Sequence, residues 1–140
     1  MKRTFFFSAL LFASASATAC KCPQYSLDEQ LARASVAFVG STTADALHPG
    51  EAGEAISFHV SRSLKGPSTG STVAIDPSFN TDCTAPFAPG TQLLVFAYAQ
   101  DTGVLVASAC SVRATEPFSI GGRSLQPSPE VSKFLQSVPN

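Results

Sequence analysis

Residues 56–64 read ISFHVSRSL. Ile56, Phe58, Val60, Arg62 and Leu64 alternate with Ser57, His59, Ser61 and Ser63. A period of two sends these sets to opposite faces of a pleated chain, so the segment reads as a half-buried β-strand. Lys65-Gly66-Pro67 ends it, since Pro has no N–H to give and Gly favours a turn. Upstream, Ser35–Thr43 carries Val36, Phe38 and Val39 and reads as a first strand. Downstream, Val73 and Ile75 share one face of a third strand, Thr72–Pro77. Residues 92–100, QLLVFAYAQ, are apolar on both faces and predict a central, buried strand. After the turn Asp101-Thr102-Gly103, Val104–Cys110 returns as a fifth strand in a hairpin. Ala44–Glu54 and Ser78–Gly90, rich in Gly and Pro, read as connections, and Ala114–Gln126 has no periodicity.

Two short helices flank the strands. Ser26-Leu27-Asp28-Glu29 is a capping box, with Ser26 as N-cap and Glu29 at the third helical position. The helix runs through about Ala34 with Leu27 and Leu31 on one side. Near the other end, Ser128-Pro129 is an N-cap followed by Pro at the first helical position. Val131, Phe134, Leu135 and Val138 then form one apolar stripe, predicting a helix near 129–138 that docks on the strands. The fold class expected is all-β with flanking short helices: a five-stranded OB-fold-like barrel, since a sandwich would need about seven strands.

The chain has 140 residues. Met1-Lys2-Arg3, the apolar run Phe5–Phe12 and Ala17-Thr18-Ala19 match a signal peptide over residues 1–19, with Cys20 as the first mature residue. The apolar run is too short to span a bilayer, which takes ~20 residues. Residues 20–140 are then one domain, exported to a periplasmic or extracellular space. Ala17-Thr18-Ala19-Cys20 also reads as a lipoprotein signal, and acylation of Cys20 would anchor the protein to a membrane. The formal charge of −1 becomes more negative once Lys2 and Arg3 are removed, which argues against nucleic-acid binding. The length excludes a TIM barrel and a two-domain dehydrogenase.

Cys20, Cys22, Cys83 and Cys110 are an even number in an exported domain, which reads as two disulfides. Four cysteines allow three pairings, and spacing does not choose among them. Enzyme motifs fail. Gly66-Pro67-Ser68-Thr69-Gly70 spells G-x-S-x-G, but a strand follows where a nucleophile elbow needs a helix, so it reads as a hairpin loop. His48 and His59 have no partner at metal spacing, and Asp76 and Asp82 only flank a loop. The expectation is a protein without catalytic residues, cofactor or metal of its own. The start of the mature chain carries more. An α-amine has a pKa near 8 and is partly neutral at neutral pH. With the carbonyl of the same residue it forms a five-membered chelate, and a catalytic zinc keeps a position open. Cys20, pinned by disulfides, is therefore a candidate cap for the zinc of another protein.

Cys20-Lys21-Cys22-Pro23, followed by a short helix over Ser26–Ala34, resembles the start of the tissue inhibitors of metalloproteinases (TIMPs). Ser63-Leu64-Lys65-Gly66-Pro67 is similar to that family's lysine-glycine-proline segment at a strand end, and Cys83 and Cys110 fall near its cysteine positions. The resemblance covers about Cys20 to Glu116. It implies an OB-like barrel of the netrin-like (NTR) type, with disulfides Cys20–Cys83 and Cys22–Cys110. It also implies inhibition of a zinc metalloendopeptidase through the amine and carbonyl of Cys20, with Lys21, Cys22 and Pro23 as contact residues. Lys21 stands where the family carries a small or polar residue that enters the protease's specificity pocket, so an acidic pocket would suit this chain. Netrin-like modules also occur as binding modules that inhibit no protease. The alternative partner is then another extracytoplasmic protein.

Overall fold

The computed structural model describes residues 21–42, 55–77, 89–120 and 122–139. After an extended start, α1 (Leu27–Arg33) leads into β1 (Val36–Thr42), β2 (Ile56–Lys65) and β3 (Thr72–Ile75). Next come β4 (Gln92–Ala99), β5 (Leu105–Val106), a 3₁₀ turn at Ala109–Ser111 and β6 (Val112–Ala114). β7 (Phe118–Ile120), β8 (Arg123–Leu125) and α2 (Pro129–Ser137) complete the order. The first helix has the capping box read from the sequence: the Glu29 amide donates to Ser26 Oγ at 3.2 Å, and the Ser26 amide donates to Glu29 Oε2 at 2.8 Å. Ser128 caps α2 by accepting from the Val131 amide, with Pro129 inside the first turn.

β1 pairs antiparallel with β2 and β4, and β2 pairs with β3. The spatial order β4-β1-β2-β3 is that of a Greek key. β5 continues the sheet beyond β4. Its far side meets the end of β3 through a parallel bridge, Asp76 to Val106: the Asp76 amide donates to the Leu105 carbonyl at 2.8 Å, and the Ala107 amide to the Asp76 carbonyl at 3.1 Å. Five strands thus form a nearly closed, barrel-like sheet.

The expected strands β1 to β4 stand where the sequence puts them. The fifth is a correction. Only Leu105–Val106 pairs as β5, and Cys110 lies in the 3₁₀ turn, because Ser108 caps that turn by accepting from the Cys110 amide. The chain then returns to the same edge of β4 as β6. The aperiodic stretch also holds the small β7–β8 hairpin. Strands of two or three residues are too short for a period to register in sequence.

Burial divides into two layers. Inside the sheet lie Phe38, Phe58, Val60, Ile75, Leu93 and Val95, with Phe38 and Phe58 edge-to-face at 5.7 Å. Outside it, α1 and α2 cover Ala37, Val39, Leu94 and Phe96 with Leu27, Val131 and Phe134. β1 and β4 supply alternate residues to both layers, which is why β4 reads as apolar on both faces.

The period of β2 does not run its full length. The register passes from Gly40↔Val60 to Val39↔Arg62, leaving Ser61 as an extra residue, and skips Leu64 in the same way. A bulge of one residue exchanges the faces. Arg62 and Leu64 therefore leave the inner face they shared by alternation with Ile56, Phe58 and Val60. Leu64 packs under the helices. Arg62 donates from Nη1 to the Leu135 carbonyl at 2.8 Å and from Nη2 to the Val138 carbonyl at 2.6 Å, at the C-terminal end of α2. Lys65 Nζ donates to the Leu31, Ala32 and Ala34 carbonyls at the end of α1. A cation at a helix C-terminus satisfies carbonyls that lack an intrahelical partner and opposes the dipole. Gly40 allows the bulge: a Cβ there would lie 2.5 Å from the His59 carbonyl oxygen.

Candidate functional site

The N-terminal segment is tied to the sheet by a disulfide between Cys22 and Cys110, with sulfurs 2.02 Å apart and Cα atoms 5.2 Å apart. This bond joins residues 88 positions apart and fixes the extended start of the chain against the 3₁₀ turn after β5. Lys21 and Pro23 on either side of Cys22 are exposed. Cys20 and Cys83, and with them the second expected disulfide and the zinc-capping amine, lie outside the described residues.

Beside the disulfide is a groove of about 480 Å³. Pro23, Tyr25, Gln30 and Arg33 form one wall, and Tyr98 and Ser108 contribute to the other. A second hollow of about 310 Å³, beside Gln100 and Val106, shares Tyr98, Ser108 and Ser111 with it. The Arg33 guanidinium stands over the Tyr25 ring, 4.1 Å from its centroid, a cation–π contact. Gln30 is buried at 3% exposure; its Nε2 donates to the Tyr25 carbonyl at 3.2 Å, which fixes the amide so that Oε1 is left without a partner among the described residues. Burial pushes the Tyr98 phenol above the usual tyrosine value, and the Tyr25 phenol adds to this, while Arg33 and Arg113 pull it down. Tyr98 is therefore a protonated O–H donor at neutral pH. Arg113, behind it, is half-buried and donates to the Cys110 and Val112 carbonyls at 2.8 and 3.0 Å, steadying the turn that carries the disulfide. Burial draws its pKa down, against the raising influence of Glu130 and then Tyr98.

Among the described residues, no three His, Cys, Asp or Glu side chains come together as a metal site. His59 is exposed on β2 opposite Thr72. Gly66–Gly70 is the β2–β3 hairpin turn, with Gly66 at φ +95°. Asp76 forms the strand bridge, while His48 and Asp82 lie outside the described residues. No described helix is long and apolar enough to cross a membrane.

The sequence singled out Cys22 and Pro23, and they meet Cys110 at this end of the sheet. It missed Tyr25, Gln30, Arg33 and Tyr98. A Tyr at the end of an apolar strand and an Arg eight residues after another Tyr carry no motif; only the contact of α1 with β4 brings them together. No family model matches the chain, and no curated protein resembles it significantly.

Proposed function

We propose that the protein is an exported TIMP-like, OB-fold netrin-type inhibitor that caps the zinc of a metalloendopeptidase with the amine and carbonyl of Cys20. The observation that carries this reading is the Cys22–Cys110 disulfide, which ties the Lys21-Cys22-Pro23 edge, with Lys21 and Pro23 exposed, to the turn after β5. That bond is one of the two the resemblance implies. The OB assignment is supported by the Greek-key order β4-β1-β2-β3 and its closure through the β3–β5 bridge. Rigidity before binding lowers the entropy cost of association.

The test is one added Ala before Cys20. It keeps the cysteines and the fold but moves the amine by one residue spacing, ~3.8 Å. A Zn–N bond must be near ~2.0–2.1 Å, so the chelate is lost. Inhibition of zinc endopeptidases should fall by orders of magnitude at unchanged melting temperature. Lys21→Thr should strengthen inhibition of enzymes with apolar pockets and weaken it where an acidic pocket pairs with the ammonium. Intact mass with and without reduction reports the mature start, acylation of Cys20 and the number of disulfides. If neither wild type nor Lys21→Thr inhibits any enzyme of a zinc endopeptidase panel, zinc capping is wrong. The second reading, a non-inhibitory binding module, is favoured by the groove beside the disulfide.

A further inference from the structure

The groove beside the Cys22–Cys110 disulfide is lined by three polar groups that the described residues leave unsatisfied, Arg33 and Tyr98 at its surface and Gln30 Oε1 buried in its wall, and their chemistry is complementary to one kind of ligand. Arg33 makes its cation–π contact with Tyr25 and no hydrogen bond or ion pair among the described residues. A guanidinium has five donors in a planar fork, and stacking on a ring leaves its edge available. Glu29, one turn earlier on α1, is occupied by Ser26. The Tyr98 hydroxyl is likewise unbonded among the described residues and remains an O–H donor. Gln30 Oε1 is a buried acceptor with no partner. No acidic side chain lines the groove among the described residues, so Arg33 gives it a positive charge in a chain whose formal net charge is −1. Pro23, the Tyr25 ring and the disulfide supply the apolar surface.

We propose that this groove captures the carboxyl terminus of a partner polypeptide, with Arg33 and Tyr98 holding the carboxylate and Gln30, its buried Oε1 uncovered by a turn of the side chain, accepting from the last peptide N–H. Two donors and one acceptor in one groove match a terminal residue, which offers a carboxylate and an N–H a few ångströms apart. An isolated carboxylate would leave Gln30 Oε1 unpartnered, and a buried acceptor without a donor is costly. The apolar wall selects a terminal residue with an aliphatic side chain. The site does not depend on zinc capping, since it uses no atom of Cys20.

The probe is N-acetyl-Ala-Ala-Leu with a free carboxyl terminus, titrated into the oxidised protein and followed by calorimetry and by amide shifts. Saturable binding is expected, weakened about tenfold or more when the same peptide ends in an amide, because a charge-assisted fork is lost. Arg33→Gln should shrink the difference between acid and amide to the smaller share that Tyr98 supplies. Tyr98→Phe, which keeps the ring, should weaken the acid several-fold and the amide less. The protein with Ala added before Cys20 should bind the peptide as wild type does, which separates this site from the zinc-capping reading. Equal binding of acid and amide, undiminished binding by a folded Arg33→Gln protein, or no saturable binding up to millimolar peptide would overturn the proposal. Equal or tighter binding of N-acetyl-Ala-Asp-Ala amide would assign the groove to internal acidic segments instead.

Discussion

The two apolar layers of this protein lie back to back on the same strands, yet they are held by different means. The inner layer is enclosed by strands alone, around Phe38, Phe58 and Phe96's neighbours Val95 and Ala97 on β4. The outer layer is enclosed by one helix from each end of the described chain, and Phe134 of α2 packs 6.1 Å from Phe96. The inner layer closes through backbone ladders between strands. The outer layer depends on side chains, with Arg62 and Lys65 of β2 gripping the carbonyl ends of the two helices. The difference predicts that the barrel unfolds as one cooperative unit and that the helices are a cover fastened to it.

The sharpest way to break this contrast is to open each layer in turn. Phe58 is wholly buried, and Phe58→Ala should cost about 4 kcal/mol, unfolding β1 to β4 together in a denaturant titration. Phe134→Ala in the cover should cost about 3 kcal/mol. Hydrogen exchange in that variant should quicken in α2 far more than in β1 and β4. If both layers respond alike, the cover is not separable from the barrel. A chain ending at Gln126 that melts at the wild-type temperature would show that α2 contributes nothing.

Smaller changes test the fastenings. Arg62→Met keeps much of the stem's apolar contact but leaves the Leu135 and Val138 carbonyls without their charged donor. The expected loss is about 2 kcal/mol, again with exchange quickened mainly in α2. An unchanged stability would mean that water replaces the guanidinium at no cost. The smallest effect is electrostatic. Hydrogen bonds from the Ser26 backbone, then from its side chain, hold the Glu29 carboxyl below its ordinary 4.5, with Arg33 adding to this against a small desolvation. A carboxylate that titrates lower in the folded chain adds stability above its unfolded value and loses it as pH falls through the folded value. The melting temperatures of wild type and Glu29→Gln should therefore differ most near neutrality and converge as the pH falls below 4.5. A constant difference across that range would exclude the carboxylate as the cause.

The sequence by itself determined the elements whose signals are local. The capping box at Ser26–Glu29, the Ser128-Pro129 start of α2 and the alternation at Ile56, Phe58 and Val60 each follow from a few neighbouring residues, and each stands in the structure as read. Within the proposed site, Cys22 was legible as a disulfide cysteine from the cysteine count, and Pro23 only through the resemblance of Cys20-Lys21-Cys22-Pro23 to the inhibitor family, whereas their neighbours were not legible. Tertiary structure alone decided the rest. The bulge at Ser61 of β2 turned Arg62 from the barrel interior to the end of α2, and Gly40 of β1 lets the two backbones approach there. The shortened fifth strand and the return of β6 to β4 depend on the 3₁₀ turn that the Cys22–Cys110 bond holds. Tyr25 and Arg33 meet Tyr98 only because α1 lies across β4, a contact between residues far apart in the chain. Periodicity and capping act over one or two turns of backbone, while bulges, closure and grooves arise from competition among distant surfaces for the same space, and no short window of sequence records that competition.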